Sequence, residues 1–520
     1  MKQFSTILLT GIVLLALAVS AGQAREMEGV VKAGYTSTDL EGNQSLYEPT
    51  YNLEEGFAFS LDRFRYQMEN GLKLSADLHN PFLDNRRLKF GVVKSGHGGV
   101  NFKHNAYKRP YDFDGKEFTR RYSSSGSIWM RPVKQVKLFG GFGYVEKNGT
   151  SINFADPSPV AEMHEVDFAR QSYYGGVELK HERSYGRFEY RTTDFNNDRD
   201  TSTDRKAMRL RATFYTPIPQ YEKVVVSGGF QHFQNRLENR FDTLQANSFW
   251  GAAQYSHRWG YSLRYSFMFD RARRTGDPVD TDNLIHAVHL GKAWPRKGGV
   301  TVGYSRRLND DLAVKRSADE YSLSGWVRPI DRLTVRASMN MLSDVIDSGR
   351  TLTGAYDRSR HSVSAKYSLK DAYVKISVSD RRRENDDIGS KVEFMRTVGE
   401  LSYTNRLYGR IAGSIAYGDG KYENTAGMFE YEELSLTGQF WSAEYKKMQG
   451  GIRGIYYRAK QDIDIESFSV EFSGRIRTQD RIGVELVYSV HNYDDLDAPI
   501  VMYDQYYTAN VITALVTYDL

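Results

Sequence analysis

Apolar and polar residues alternate one for one over much of this chain. From Tyr321 to Met341, YSLSGWVRPIDRLTVRASMNM, two alternating runs flank a tight turn at 328–331. In the second run Leu333, Val335, Ala337, Met339 and Met341 share one face, and Thr334, Arg336, Ser338 and Asn340 the other, because successive side chains of a strand point to opposite sides. Such a hairpin suits a soluble sandwich or a barrel wall with lipid outside and water inside.

The rhythm of the connections separates these two folds. Short turns are expected near 67–70, 95–98, 131–134, 182–185, 217–221, 257–260, 295–298, 328–331, 369–371, 406–408, 441–444 and 478–480, usually 33 to 41 residues apart. Between them lie longer polar segments, the longest at 146–169. Twelve short turns alternating with long loops predict an all-β fold, an antiparallel up-and-down barrel of about 26 strands (24–28), with tight periplasmic turns and longer external loops. A sandwich gives no reason for that asymmetry.

Individual strands carry the pattern clearly. Tyr261, Leu263, Tyr265, Phe267 and Phe269 would face lipid, opposed by Ser262, Arg264, Ser266 and Asp270; the strands at 468–477 and 482–490 behave alike. The first 120 residues and the stretch 445–460 alternate less well. At the C-terminus Ile512, Ala514, Val516, Tyr518 and Leu520 occupy every second position, so this strand is expected to close the barrel against a first strand near 28–36.

Two residue types are used as independent tests. All twelve prolines fall in the expected connections, where a missing N–H interrupts no ladder. Trp129, Trp259, Trp294, Trp326 and Trp441 lie in or near short turns and read as an interfacial aromatic girdle, with Trp250 the exception.

Composition refines this picture. Residues 1–24 have a basic start, an apolar run and small residues before Arg25, the pattern of a secretory signal peptide, leaving 25–520 as a single barrel domain. No later segment reaches the 18 consecutive apolar residues of a membrane helix. Cysteine is absent, so disulfides, thiolate metal sites and covalent haem attachment are excluded for this chain. With 70 basic and 65 acidic residues interspersed, a net charge of +5 suggests no nucleic acid partner. Mean hydropathy of −0.57 is uninformative, because a barrel turns only alternate residues to lipid.

Candidate chemistry is sparse. His286 and His289 are three apart and, on a strand, point to opposite faces, which argues against a metal pair. The acidic clusters near Asp194, Asp277, Glu384 and Tyr493 lack the spacing of a calcium loop. No nucleophile elbow, phosphate loop or dinucleotide fingerprint is present, so no enzyme activity, catalytic residue, metal or bound cofactor is expected. The charged residues expected to face the lumen are Arg209, Arg211, Arg264, Arg336, Lys375, Glu471, Arg475, Arg477 and Glu485. They are compatible with solute selection, with gripping a protein partner, or with a plain hydrated wall.

Size adds the last element. A barrel of this strand number is roughly 50 to 55 Å across at the backbone. Left open it would leak far more than porins of 16 to 18 strands. The plug of TonB-dependent transporters is N-terminal, whereas the first strand here is expected within a few residues of the mature N-terminus. The expected filler is therefore another polypeptide. With its signal peptide, about 26 short-looped strands and terminal strand ITALVTYDL, the chain resembles the MtrB/PioB type of barrel, the sheath of outer-membrane porin–cytochrome conduits. That resemblance implies a scaffold in the outer membrane of a Gram-negative bacterium, in contact with its lipid, around a multihaem c-type cytochrome. Electrons would pass between periplasmic carriers and extracellular oxides or an extracellular cytochrome, and the haem would belong to the partner. A large porin for solutes such as oligosaccharides is the alternative.

Overall fold

The computed structural model describes residues 24–51, 55–111, 116–152, 163–238, 242–275, 279–311, 314–349, 356–385, 388–425, 427–495 and 505–520. The expected signal peptide lies almost wholly outside these residues, as do Pro157, Pro159, Pro278 and Pro499.

A single antiparallel sheet of 26 strands, numbered here β1 to β26 in chain order, forms the wall. Each strand pairs with its sequence neighbours, and β1 (Ala24–Gly42) pairs with β26 (Tyr506–Asp519) to close the ring, in register from Val30 opposite Asp519 to Gly42 opposite Tyr507. Closure leaves no edge strand with unpaired backbone groups, the condition for crossing a bilayer with strands.

The twelve short turns stand where the alternation places them, within a few residues. The long connections are shorter than the sequence suggests. At 146–169, β7 (Val136–Ile152) and β8 (Met163–His181) pair far into the polar segment, down to Ile152 opposite Met163. Polar strands hydrogen-bond through the backbone as well as apolar ones do, so hydrophobic alternation marks the lipid belt and not the end of the ladder.

Proline placement needs a correction of the same kind. Pro132, Pro217 and Pro329 lie within β6 (Phe118–Val133), β10 (Arg205–Ile218) and β16 (Val314–Ile330), and Pro110 ends β5 (Gly98–Pro110). Pro132 and Pro329 fall inside register shifts, and Pro217 borders one, so the missing N–H coincides with a break already present in the ladder.

The weakly alternating N-terminal region has a specific cause. In β2 (Gly56–Met68), Arg63 adopts a left-handed φ of 52° at a bulge, and the register against β1 and β3 (Leu72–His79) shifts there. Leu61 and Phe64, three residues apart, thereby share one face opposite Leu78 and Ala76.

One short helix, α1 (Gln44–Tyr51), departs from the wall within the first long connection. Asn43 caps it, its Oδ1 accepting from the Ser45 N–H at 3.0 Å and from the Ser45 hydroxyl at 2.6 Å. Tyr47, 1% exposed, packs edge-on against Tyr507 beside Ala509 and Val511. These β26 residues stand on the face opposite to Ile512, Val516 and Tyr518.

Candidate functional site

The register assigns every wall residue to one of two faces. One face carries Tyr261, Leu263, Phe267, Ile376, Leu486, Ile512 and Val516, large apolar side chains left 40 to 58% exposed. Such a surface meets lipid, and the opposite, polar face lines the bore. The helix α1 lies on the bore side.

On that polar face the predicted residues fall into several separate groups. Arg209 on β10 lies 3.3 Å from Glu189 on β9 (Ser184–Asn197). Glu189 also receives Arg187 at 2.6 Å and Arg191 at 3.4 Å, and its side chain is only 9% exposed. One carboxylate therefore holds three guanidiniums. Arg211 stands directly opposite Glu189 in the ladder, with its guanidinium over the Trp250 ring, 5.4 Å from the centroid.

A second group staples the seam. Glu485 on β25 (Ile482–Asp495) lies 2.9 Å from Lys32 on β1, and Lys32 lies 3.4 Å from Asp62 on β2. Arg475 on β24 (Ile465–Arg477), opposite Glu485 in the register, lies 2.8 Å from Asp519. Arg477 reaches Asp519 at 3.7 Å and Glu444 at 3.6 Å. Glu471 stands opposite Arg453 and Ser489. Ion pairs here link the last strands to the first. Elsewhere Lys375 lies 2.6 Å from Glu400, Arg264 stands between Gln254 and His289, and Arg336 stands between Trp326 and Ser364.

The tryptophan girdle is corrected by the same register. Trp129 pairs with Phe139, Trp326 with Arg336 and Trp441 with Arg410, all on the polar face. Trp294 is on the apolar face and Trp259 is in the turn beside it, where Lys292 donates to the Trp259 carbonyl at 2.7 Å. Proximity to a turn fixes a residue's height on the wall; its parity within the strand decides the side.

Several inward residues escape the sequence reading. Arg187, Glu189 and Arg191 lie in a strand whose polar and aromatic residues mask the period. Arg358, Arg360, Arg381 and Arg383 occupy positions that pattern alone assigns to loops or loop edges. Their signal is local: RSR at 358–360 and RRR at 381–383 flank one tight turn at nearly equal distances.

His286 and His289 stand on opposite faces, His286 bonded to the Tyr265 hydroxyl at 2.7 Å and His289 opposite Arg264. Among the described residues no group of three or more metal-binding side chains is assembled.

No protein-family profile matches this sequence, and neither does any curated protein. Solved structures do match. The siderophore receptor PirA of Acinetobacter baumannii aligns over 95% of this chain and 80% of its own, with a TM-score of 0.54 at 9% identity. A variant of the ferric enterobactin receptor PfeA of Pseudomonas aeruginosa covers 95% and 80%, with a TM-score of 0.53 at 9% identity. The FrpB iron transporter of Neisseria meningitidis covers 95% and 82%, with a TM-score of 0.52 at 8% identity. At this identity the likeness is one of fold. A closed barrel with an apolar outer belt and the fold of these proteins is an outer-membrane barrel of a Gram-negative bacterium.

Proposed function

We propose that this chain is a passive wall around a separate polypeptide, and that the polypeptide is a multihaem c-type cytochrome carrying electrons across the outer membrane. The observation behind this reading is the mismatch between enclosure and filling. Twenty-six strands enclose a bore about 50 Å across at the backbone, and among the described residues the only helical structure in the connections is the eight-residue α1 and a single 3-10 turn. Outer-membrane transporters of 22 strands keep their lumen plugged. A wider bore has greater need of a filler, because open passage would dissipate the barrier. This chain has no cysteine for thioether-bound haem, so the haems would be the partner's.

A second reading has its own support in the fold shared with siderophore receptors and an iron transporter: a pathway for bulky solutes along a cationic wall. One preparation separates the two. The chain is expressed in a host competent for c-type cytochrome maturation and purified in mild detergent, and its absorbance and single-channel current are recorded. A stoichiometric haem-bearing polypeptide and a closed bore are expected for the conduit. Colourless protein with high conductance would overturn it in favour of solute passage.

A further inference from the structure

The inner faces of β18 (Asp357–Ser368) and β19 (Ala372–Asn385) carry six cations and no carboxylate. Arg358 stands directly opposite Arg383, Arg360 opposite Arg381, and Lys366 opposite Lys375. Between these pairs lie only Ser362 opposite Ser379 and Ser364 opposite Ser377. Like charges placed directly across a ladder destabilise a sheet, and here three such pairs share one face of a single hairpin.

Neighbouring strands neutralise this strip only in part. Glu400 takes Lys375 at 2.6 Å, and Glu320 lies 3.8 Å from Arg358. Arg383 sits over the Tyr356 ring, 4.4 Å from the centroid. Arg360 and Arg381 meet no carboxylate among the described residues, and Arg358, Arg360, Arg381 and Arg383 are all exposed.

We propose that this strip docks an acidic face of the polypeptide inside the bore, an inference that rests on the reading above that the bore holds one. The shape of the strip selects this occupant. Its cations spread over about 26 Å of open wall, from Arg358 to Lys366, at the strand rise of ~3.3 Å per residue. A small anion would meet one or two exposed guanidiniums in water, where solvent screening leaves each contact weak. A rigid surface bearing spaced carboxylates engages all the pairs together and relieves the repulsion between them. The near-neutral total charge of the chain hides this feature.

The test uses the complex purified in mild detergent, with the haem-bearing polypeptide followed by absorbance. Variants R360S/R381S and R360E/R381E are compared with R360K/R381K and with R121S, at an exposed arginine on the polar face of β6 opposite Tyr107 and Lys147. Barrel folding is checked for each by heat-modifiable migration. Wild type, R360K/R381K and R121S are expected to retain the polypeptide at about 0.1 M salt and to release it near 1 M, where the screening length falls to about 3 Å. The serine pair is expected to retain roughly tenfold less and the glutamate pair less still. Soluble poly-L-glutamate should displace the polypeptide from wild type, and poly-L-lysine should not.

Folded variants that keep the polypeptide at wild-type stoichiometry, with wild type indifferent to salt, would overturn this proposal while leaving the enclosed polypeptide standing. A wild-type barrel that carries no polypeptide at any salt would overturn both. Empty barrels whose current is blocked by dextran sulfate, with the block lost in R360S/R381S, would identify a polyanionic solute as the occupant instead.

Discussion

Trp326 on β16 stands directly opposite Arg336 on β17 (Leu333–Gly349), on the face that also carries Ser324, Ser338 and Ser364. A tryptophan beside a short turn thus faces the bore, although its position along the chain suits a lipid interface. Single-tryptophan variants make this measurable. Emission from Trp129, Trp326 and Trp441 should be quenched by aqueous iodide and left largely unaffected by brominated lipid, with the reverse for Trp294. Strong lipid quenching of Trp326 would contradict the register.

Glu189 is the electrostatic centre of the β9–β10 wall, since it pairs with Arg187, Arg191 and Arg209, of which Arg187 also reaches Glu178 at 3.0 Å. Glu189→Gln removes the carboxylate that Arg191 and Arg209 share and leaves Arg187 with Glu178 alone. Breaking a buried ion pair costs ~3–5 kcal/mol; with arginines about one third exposed, solvent screening reduces the expected loss to roughly 2 kcal/mol. Urea unfolding in liposomes reads it, and an unchanged midpoint would mean that water already compensates the cluster.

Closure at the seam depends on Gly34. A Cβ at this position would lie 1.8 Å from the Ala514 carbonyl oxygen on β26, a backbone atom unable to move without opening the ladder. Gly34→Val should abolish the heat-modifiable folded form. Gly438→Ala, whose Cβ meets nothing within 4 Å, should leave it intact. Equal folding of the two variants would argue against the β1–β26 pairing.

Adjacent positions on one strand should respond oppositely to the same charge. Phe267 lies on the apolar face and Ser266 on the polar face of β13 (Tyr261–Arg274). Phe267→Arg should destabilise the barrel by about 2–4 kcal/mol near the bilayer midplane, whereas Ser266→Arg should cost less than ~1 kcal/mol. Refolding yield into defined lipid vesicles reports both.

The glycine-poor, alternating hairpins around 261–269 and 333–341 were legible because strand period and turn chemistry are local properties. The regions 24–79 and 448–461 were not. In the first, bulges at Glu28/Val30 and at Arg63 change which residues share a face. In the second, Ile452 and Tyr456 alternate with Ile455 and Tyr457, so apolar residues occupy both faces of the strand. The candidate charged residues share the polar face of their strands, whereas their groupings could not be read from the sequence, because the ion pairs they make reach other strands or turns.

The amino-acid sequence by itself determined an all-β barrel of about 26 strands, its alternating short and long connections and its closing strand, since each follows from a period of two and from the residues at turns. Tertiary structure alone decided which residues meet. The union of Glu189 with Arg209, the turning of Trp326 toward the bore and the facing of Arg360 by Arg381 all depend on inter-strand register. A shift of one residue in register sends every side chain of a strand to the other face, and that offset is set by backbone pairing and bulges across the closed ring.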